Sequence, residues 1–359
     1  MDIRFLVPAN IHHNSGGNVY NAKLAGALRG LGVNVEMLSV DGSWPDSTAK
    51  ERRRLGSLLG AWEPAGEATA DSVTIVDGLV ACGVPDEIEY AAASRQQVCV
   101  LLHMPSLSHS EGEKRALRAA AGVICTSSWA AEAVRERYGI TSSRVALPGT
   151  DPAPVSAGSD PPHIIAVAAL LPNKDQLLTV AALARLQDLA WTASLVGADD
   201  ADPGYAELVK TAIASQGMEQ RVRLTGQLAG EALEAEWNRA NLSLLVSRAE
   251  TFGLVVTESV AHGLPVIVRE GTGAVEALGL AAGSNTQPGG ATAALPGTAI
   301  ELPAPDTSHP AMLATTIRRW LSEPGLRSSW RAAALAARER LPGWESTARN
   351  VVDYFERLR

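Results

Sequence analysis

The chain has 359 residues, 46% hydrophobic and 19% charged, a globular composition that excludes disorder and is too long for one ordinary core, so two domains are expected. Its formal net charge is −8; residues 1–150 carry 14 Lys and Arg against 16 Asp and Glu, a balance of −2, so neither half has the basic bias of a nucleic-acid binder. Three cysteines, Cys82, Cys99 and Cys125, are too few and too scattered for a disulfide framework or a structural zinc site, and fit a reducing cytoplasm.

Strand and helix signals alternate from the start. Residues 3–8 (IRFLVP) read as a short first strand, too brief for a signal-peptide core. A loop with Gly16-Gly17 follows, then a helix predicted over 19–31 with Leu24, Ala27, Leu28 and Leu31 on one face and a stop at Gly32. Further strands are predicted at 34–40 (NVEMLSV), 73–76, 98–102 and 122–126. Residues 148–162 (PGTDPAPVSAGSDPP) hold five prolines and no periodicity, the best linker in the chain.

Beyond the linker the rhythm restarts. Strands are predicted at 164–170, 191–197, 222–226, 242–247 and 265–268, alternating with helices over 175–189, 204–216, 230–240 and 254–262. Residues 279–300, rich in Gly, Ala, Thr and Pro, read as a long loop, and two helices close the chain, one over 309–340 broken near Pro324-Gly325 and one over 344–358. The whole is an α/β chain of two doubly wound parallel sheets, with no apolar run long enough to span a membrane.

The sharpest motif is Ser247-Arg248-Ala249-Glu250-Thr251-Phe252-Gly253-Leu254-Val255-Val256-Thr257-Glu258, between an apolar strand and a helix, where doubly wound folds bind ligands. Glu250 is expected before the helix and Glu258 two turns into it, roughly 12 Å apart at helical rise. That distance suits two contacts on one extended ligand, such as a sugar and a ribose, and is too long for two carboxylates acting on one bond. The N–H groups of Phe252, Gly253 and Leu254 mark a helix N-terminus, an anion site.

With its flanking Ser-Arg and Phe-Gly and the following Ala261-His262-Gly263-Leu264-Pro265, this segment resembles the Glu-x7-Glu motif of the retaining glycosyltransferases of family 4. The resemblance implies a GT-B fold, two Rossmann-like domains facing a cleft, here with boundaries at 1–152 (acceptor domain), 153–162 (linker), 163–342 (nucleotide-sugar domain) and 343–359, a last helix returning to the first domain from Trp344. The Gly16-Gly17 loop looks like the family's glycine loop near the donor phosphates, and Leu101-Leu102-His103-Met104-Pro105 is similar to the segment that brings a histidine to the reacting sugar. The implied roles are Glu258 on ribose, Lys174 on diphosphate, and Glu250 with the 252–254 amides on sugar hydroxyls and leaving phosphate; His103 and Glu250 are the catalytic candidates. The family also places an arginine five residues before the lysine and a glycine after it, where this chain has Ala169 and Asp175.

The implied activity is retaining, hexosyl-type transfer from a nucleoside-diphosphate sugar to a small-molecule or glycan acceptor, with no cofactor and no essential metal. A cytoplasmic location without nucleic acid, and at most peripheral membrane contact, is expected. Two other readings are a non-catalytic nucleotide-sugar binding protein and a dinucleotide-dependent oxidoreductase, against which the loop Asn14-Ser15-Gly16-Gly17-Asn18-Val19 lacks a third glycine. Among other candidates, His12 and His13 read as acceptor contacts or solvated loop residues, His262 as packing or capping, Asp200-x-Asp202 as a solvated loop, and Lys50-Glu51-Arg52-Arg53-Arg54 as a solvated helix face more than a lipid-docking one.

Overall fold

The computed structural model describes residues 1–11, 15–62, 72–106, 108–283, 294–302 and 309–358. The chain divides into two compact units, Met1–Gly149 with Gly343–Arg359, and Thr150–Pro342.

The first unit opens with β1 (Asp2–Pro8), α1 (Gly16–Gly30), β2 (Asn34–Val40), α2 (Ala49–Leu58), β3 (Ser72–Asp77), α3 (Gly78–Cys82) and α4 (Pro85–Ala93). It continues with β4 (Val98–Leu102), α5 (Glu111–Ala119), β5 (Gly122–Cys125), α6 (Ser128–Tyr138) and β6 (Arg144–Val145). All pairings are parallel, in the order β2-β1-β3-β4-β5-β6. Strand β4 (VCVLL) is buried along its whole length, as expected of a strand covered on both faces. Leu6, Val76, Val80, Ile88, Val100 and Leu117 belong to the cluster that forms one side of this core.

The second unit holds β7 (His163–Val167), α7 (Gln176–Leu183), β8 (Thr192–Val196), α8 (Pro203–Ser215), β9 (Val222–Leu224), α9 (Gly230–Arg239) and β10 (Leu242–Leu245). Then come α10 (Leu254–Ala261), β11 (Val266–Arg269), α11 (Ala274–Ala282), β12 (Gly297–Ile300), α12 (His309–Ser322) and α13 (Pro324–Arg338). Its sheet, also parallel, runs β12-β11-β10-β7-β8-β9. Trp191, Leu195, Leu244, Ile267, Ile317 and Trp320 fill the larger of its apolar layers.

The final helix, α14 (Trp344–Leu358), belongs to the first unit. Its buried Trp344, Ala348, Val351 and Phe355 recur at helical spacing on one face. Thr347 Oγ1 donates to Leu147 O at 2.8 Å, and Val123 N–H donates to Tyr354 Oη at 3.2 Å.

The structure departs from the sequence reading in three regions. Helix α1 starts at Gly16, because Ser15 caps it by accepting from Asn18 N–H at 3.1 Å, so Gly16 and Gly17 form its first turn and not a loop. Within 279–300, read as loop, α11 extends to Ala282 and ends on Gly283 with φ 71°, and β12 adds an outer strand against β11. Glu258 lies one turn into α10, not two, since α10 begins at Leu254, as predicted, only four residues before it; the helical spacing of about 12 Å therefore does not apply to the Glu250–Glu258 pair. Among the described residues no helix is long and apolar enough to cross a membrane.

Candidate active site

In the second unit the strand order reverses direction between β7 and β10, the topological switch point where open α/β sheets take ligands beyond the carboxyl ends of their strands. The two loops leaving these strands carry Lys174 and Glu250. Lys174 closes a short 3-10 turn, Pro172–Lys174, and Asp175 follows in the left-handed region with φ 58°. Beyond β10, Gly253 adopts φ 85° and opens α10, whose N-terminus has no side-chain cap. A Cβ at Gly253 would come within 2.8 Å of Leu245 Cδ2 as well as straining the backbone, so glycine sets where this helix begins.

The two loops are tied together at several points. Arg248 N–H donates to Asn173 O at 2.7 Å, and Lys174 Nζ meets Glu250 Oε1 at 2.6 Å. Arg248 donates through Nε and Nη2 to the two carboxylate oxygens of Asp175, each at 3.0 Å. From β11, Arg269 Nη2 reaches Asp175 Oδ2 at 2.5 Å while its Nε donates to Val246 O at 2.9 Å. The hydrogen bond to Asp175 raises the Arg248 pKa above its ordinary value, whereas burial lowers that of Arg269 against the pull of the same carboxylate. Behind Glu250, its carbonyl accepts from Gly273 N–H at 2.7 Å. The arginine pair on Asp175 and the support from Gly273 were not read from the sequence; the one signal was an acid standing where the family that the motif resembles has glycine.

Glu258 is half-buried on α10. Its carbonyl accepts from His262 Nδ1 at 2.7 Å, and His262 stacks on Trp237 with ring centroids 5.0 Å apart. His262 is thus a packed residue at the end of α10. Asp202 caps α8 by accepting from Tyr205 N–H at 3.0 Å.

In the first unit a second cluster forms at the ends of β3 and β4. His103 Nε2 lies 2.8 Å from Asn21 Oδ1 and 3.4 Å from Asp77 Oδ2, and Asn21 Nδ2 donates to Asp77 Oδ2 at 2.7 Å. With Nε2 donating to Asn21, the neutral ring keeps its lone pair on Nδ1. Burial opposes ionisation of Asp77, yet hydrogen bonds from His103, Asn21 and Leu79 N–H outweigh it and hold its carboxyl below the usual range. A Cβ on Gly17 would stand 3.1 Å from His103 Cδ2, so the first turn of α1 lies against the imidazole. Tyr20 meets the ring edge-on, centroids 5.2 Å apart, and donates to Ala146 O at 2.8 Å. The next residues are fixed by buried Glu113, which accepts from Ser106 N–H at 2.9 Å and Tyr138 Oη–H at 2.6 Å.

His12 and His13 lie outside the described residues. Among the described residues no three His, Cys, Asp or Glu side chains are grouped to hold a metal ion. Cys82, Cys99 and Cys125 are free thiols, each pushed up to about 12, chiefly by burial.

Residues 161–296 match the family described as glycosyl transferases group 1. No curated protein matches the chain in sequence. Solved structures with the same fold include a glycosyltransferase from Rickettsia africae ESF-5, at 16% identity and TM-score 0.74, covering 99% of this chain and 98% of that one. Anabaena HepE in complex with UDP and glucose is 18% identical, with TM-score 0.72 and 99% of both chains covered. The pneumococcal O-GlcNAc transferase GtfA in complex with UDP and GlcNAc is 12% identical, with TM-score 0.75, covering 100% of this chain and 99% of that one. The chain therefore carries a match to a glycosyl transferases group 1 domain at residues 161–296, within the two-unit α/β fold of GT-B glycosyltransferases.

Proposed function

We propose that the protein is a retaining glycosyltransferase that moves a sugar from a nucleoside-diphosphate sugar to an acceptor hydroxyl. The observation that carries this reading is the Lys174–Glu250 contact at the β7/β10 switch point, beside the uncapped N-terminus of α10. Complexes of HepE and GtfA, which share the fold, hold UDP with glucose or GlcNAc.

In the transfer, the bond from the anomeric carbon to the diphosphate oxygen breaks and a bond to the acceptor oxygen forms. Negative charge gathers on the departing diphosphate, where Lys174 and the first amides of α10 stabilise it. Glu250, paired with Lys174, turns to the sugar hydroxyls, and Glu258 takes the ribose. The acceptor proton passes to the departing phosphate, which removes the need for a separate carboxylate base. His103 is the other catalytic candidate, its ring held by Asn21 and Asp77.

The test has two stages. UDP, GDP, ADP and TDP are screened by thermal shift, in which a ligand at 100 times its Kd stabilises by about 2.7 kcal/mol. With the nucleotide identified, Glu250→Ala should cut kcat far more than it weakens nucleotide binding, while Glu258→Ala should raise the nucleotide Kd roughly tenfold or more. Equal small effects from both would remove the motif from the active site. Ala169 favours one second reading, a binding protein without turnover, and release of sugar from the donor separates the two.

A further inference from the structure

We propose that Arg248 supplies the guanidinium for the donor diphosphate that position 169 lacks, and that Asp175 is the residue that positions it. This inference rests on the nucleotide-sugar reading above.

Position 169 offers no charge: its side chain is a methyl group, and its carbonyl accepts from Gln176 Nε2 at 2.9 Å. Across the same switch point, two residues before Glu250, Arg248 is held in a fixed and yet open place. Its main chain is anchored on Asn173 O, the residue before Lys174, and its guanidinium grips both oxygens of Asp175. That fork fixes the plane of the group, which a single ion pair does not. Its side chain remains 63% exposed while that of Asp175 is 7% exposed, so the carboxylate forms the floor and the arginine the open surface. Among the described residues Nη1 makes no hydrogen bond, which leaves donors for a ligand.

The charges favour an anion. Asp175 serves two guanidiniums, and the inner one, Arg269, has a side chain only 10% exposed and needs a counter-ion. One carboxylate shared by two arginines leaves a surplus positive charge, and the exposed Arg248 carries it. Lys174 and Glu250 beside it balance one another only until Glu250 engages the sugar.

The backbone points the same way. Asp175 occupies φ 58°, a conformation that glycine takes freely and L residues adopt rarely. The family resemblance gives glycine at this place and arginine at 169; this chain departs at both. A strained aspartate in place of glycine brings a carboxylate, and that carboxylate holds a second arginine over the loop of Lys174. Neutralising buried Arg269 explains one guanidinium on Asp175 and leaves the exposed one unexplained.

The experiment is titration calorimetry on the full chain with UDP, GDP, ADP and TDP and with their monophosphates, folding being checked by thermal melting. Arg248→Ala and Arg248→Gln should each weaken the diphosphate by about tenfold or more and the monophosphate by much less. Asp175→Asn should act in the same direction with a smaller effect, and Ala169→Arg placed in the Arg248→Ala background should restore diphosphate affinity. Restoration by a residue 79 positions away in sequence is not expected of a merely structural ion pair. Diphosphate binding unchanged in both Arg248 variants, an equal loss of mono- and diphosphate, or no rescue would overturn the proposal while leaving the nucleotide-sugar reading intact. Failure of the wild type to bind any of the four diphosphates would overturn both.

Discussion

Replacing Gly273 by alanine isolates how the position of Glu250 is set. Gly273 has φ −62°, which alanine adopts without strain, so any effect must come from space. Its added Cβ would stand 1.7 Å from Thr251 O and 2.2 Å from Thr251 C. A carbon–oxygen contact relaxes only near about 3.3 Å, so the 250–252 loop has to retreat by about 1.6 Å. The hydrogen bond from Gly273 N–H to Glu250 O, 2.7 Å long, joins the same two segments and stretches with that movement. Overpacking costs about 1–3 kcal/mol and a lost backbone hydrogen bond about 0.5–1.5 kcal/mol, so the second unit should melt roughly 5–15 °C lower. Displacing a transition-state contact by about 1 Å costs on the order of a hundredfold in rate. The assay is release of sugar from the donor identified by the nucleotide screen, with melting followed in parallel. Gly271→Ala is the control: it meets nothing within 4 Å but sits at φ 74°, so it should lower stability and spare turnover. Wild-type activity in Gly273→Ala, or equal loss in both variants, refutes the reasoning.

The other predictions concern the first unit and pH. Asp77→Asn keeps the shape at the end of β3 but removes the charge beside His103 and Asn21; turnover should fall about tenfold or more, while nucleoside-diphosphate Kd stays within a factor of two. Should nucleotide affinity fall with turnover, the Asp77 cluster is not separate from donor binding. His163, with Nδ1 at 2.7 Å from Thr192 Oγ1, is pushed down to about 4, first by burial and then by Arg239. The unfolded chain therefore takes up this proton first as pH falls, so stability is complete above about pH 6.5 and is lost progressively towards pH 4. Melting temperatures from pH 7.5 to 4.5 should show that decline, and His163→Gln should flatten it; an unchanged slope in the variant would assign it to other groups.

Much of the fold was legible because its strands are short apolar runs between breakers. NVEMLSV and VCVLL coincide with β2 and β4, and the helix predicted over 344–358 coincides with α14. The misses have physical causes. Strand β12 reads GTAI, with small residues and little of the β-branched bulk that marks a strand; it forms because β11 offers a parallel edge. The end of helix α11 that fell in the predicted loop, residues 279–282, reads Gly-Leu-Ala-Ala, a composition that the neighbouring Gly-rich sequence made look like loop. Pattern reading also set the Gly16-Gly17 pair outside a helix, since glycine weakens helix interiors, whereas here both stand in the first turn behind the Ser15 cap.

Contacts within the candidate sites were less legible than their members, and strand order is the reason. Periodicity identifies which residues end a strand; it does not say which strands become neighbours. In the first unit the reversal falls between β1 and β3, so Asn21, Asp77 and His103, at or beyond the carboxyl ends of the neighbouring strands β1, β3 and β4, meet at that end of the sheet. In the second unit it falls between the first strand of that unit and its fourth, which brings Lys174 to Glu250 across 76 positions and Arg269 to Asp175 across 94. The motif residues could be found by spacing because the motif is local. Lys174 and Asp175 are neighbours in the chain, but Arg248 in the motif and Arg269 beyond it reach Asp175 only through the order of the sheet, so an Asp in the place of a glycine was visible in the sequence while its pairing with the two arginines was not.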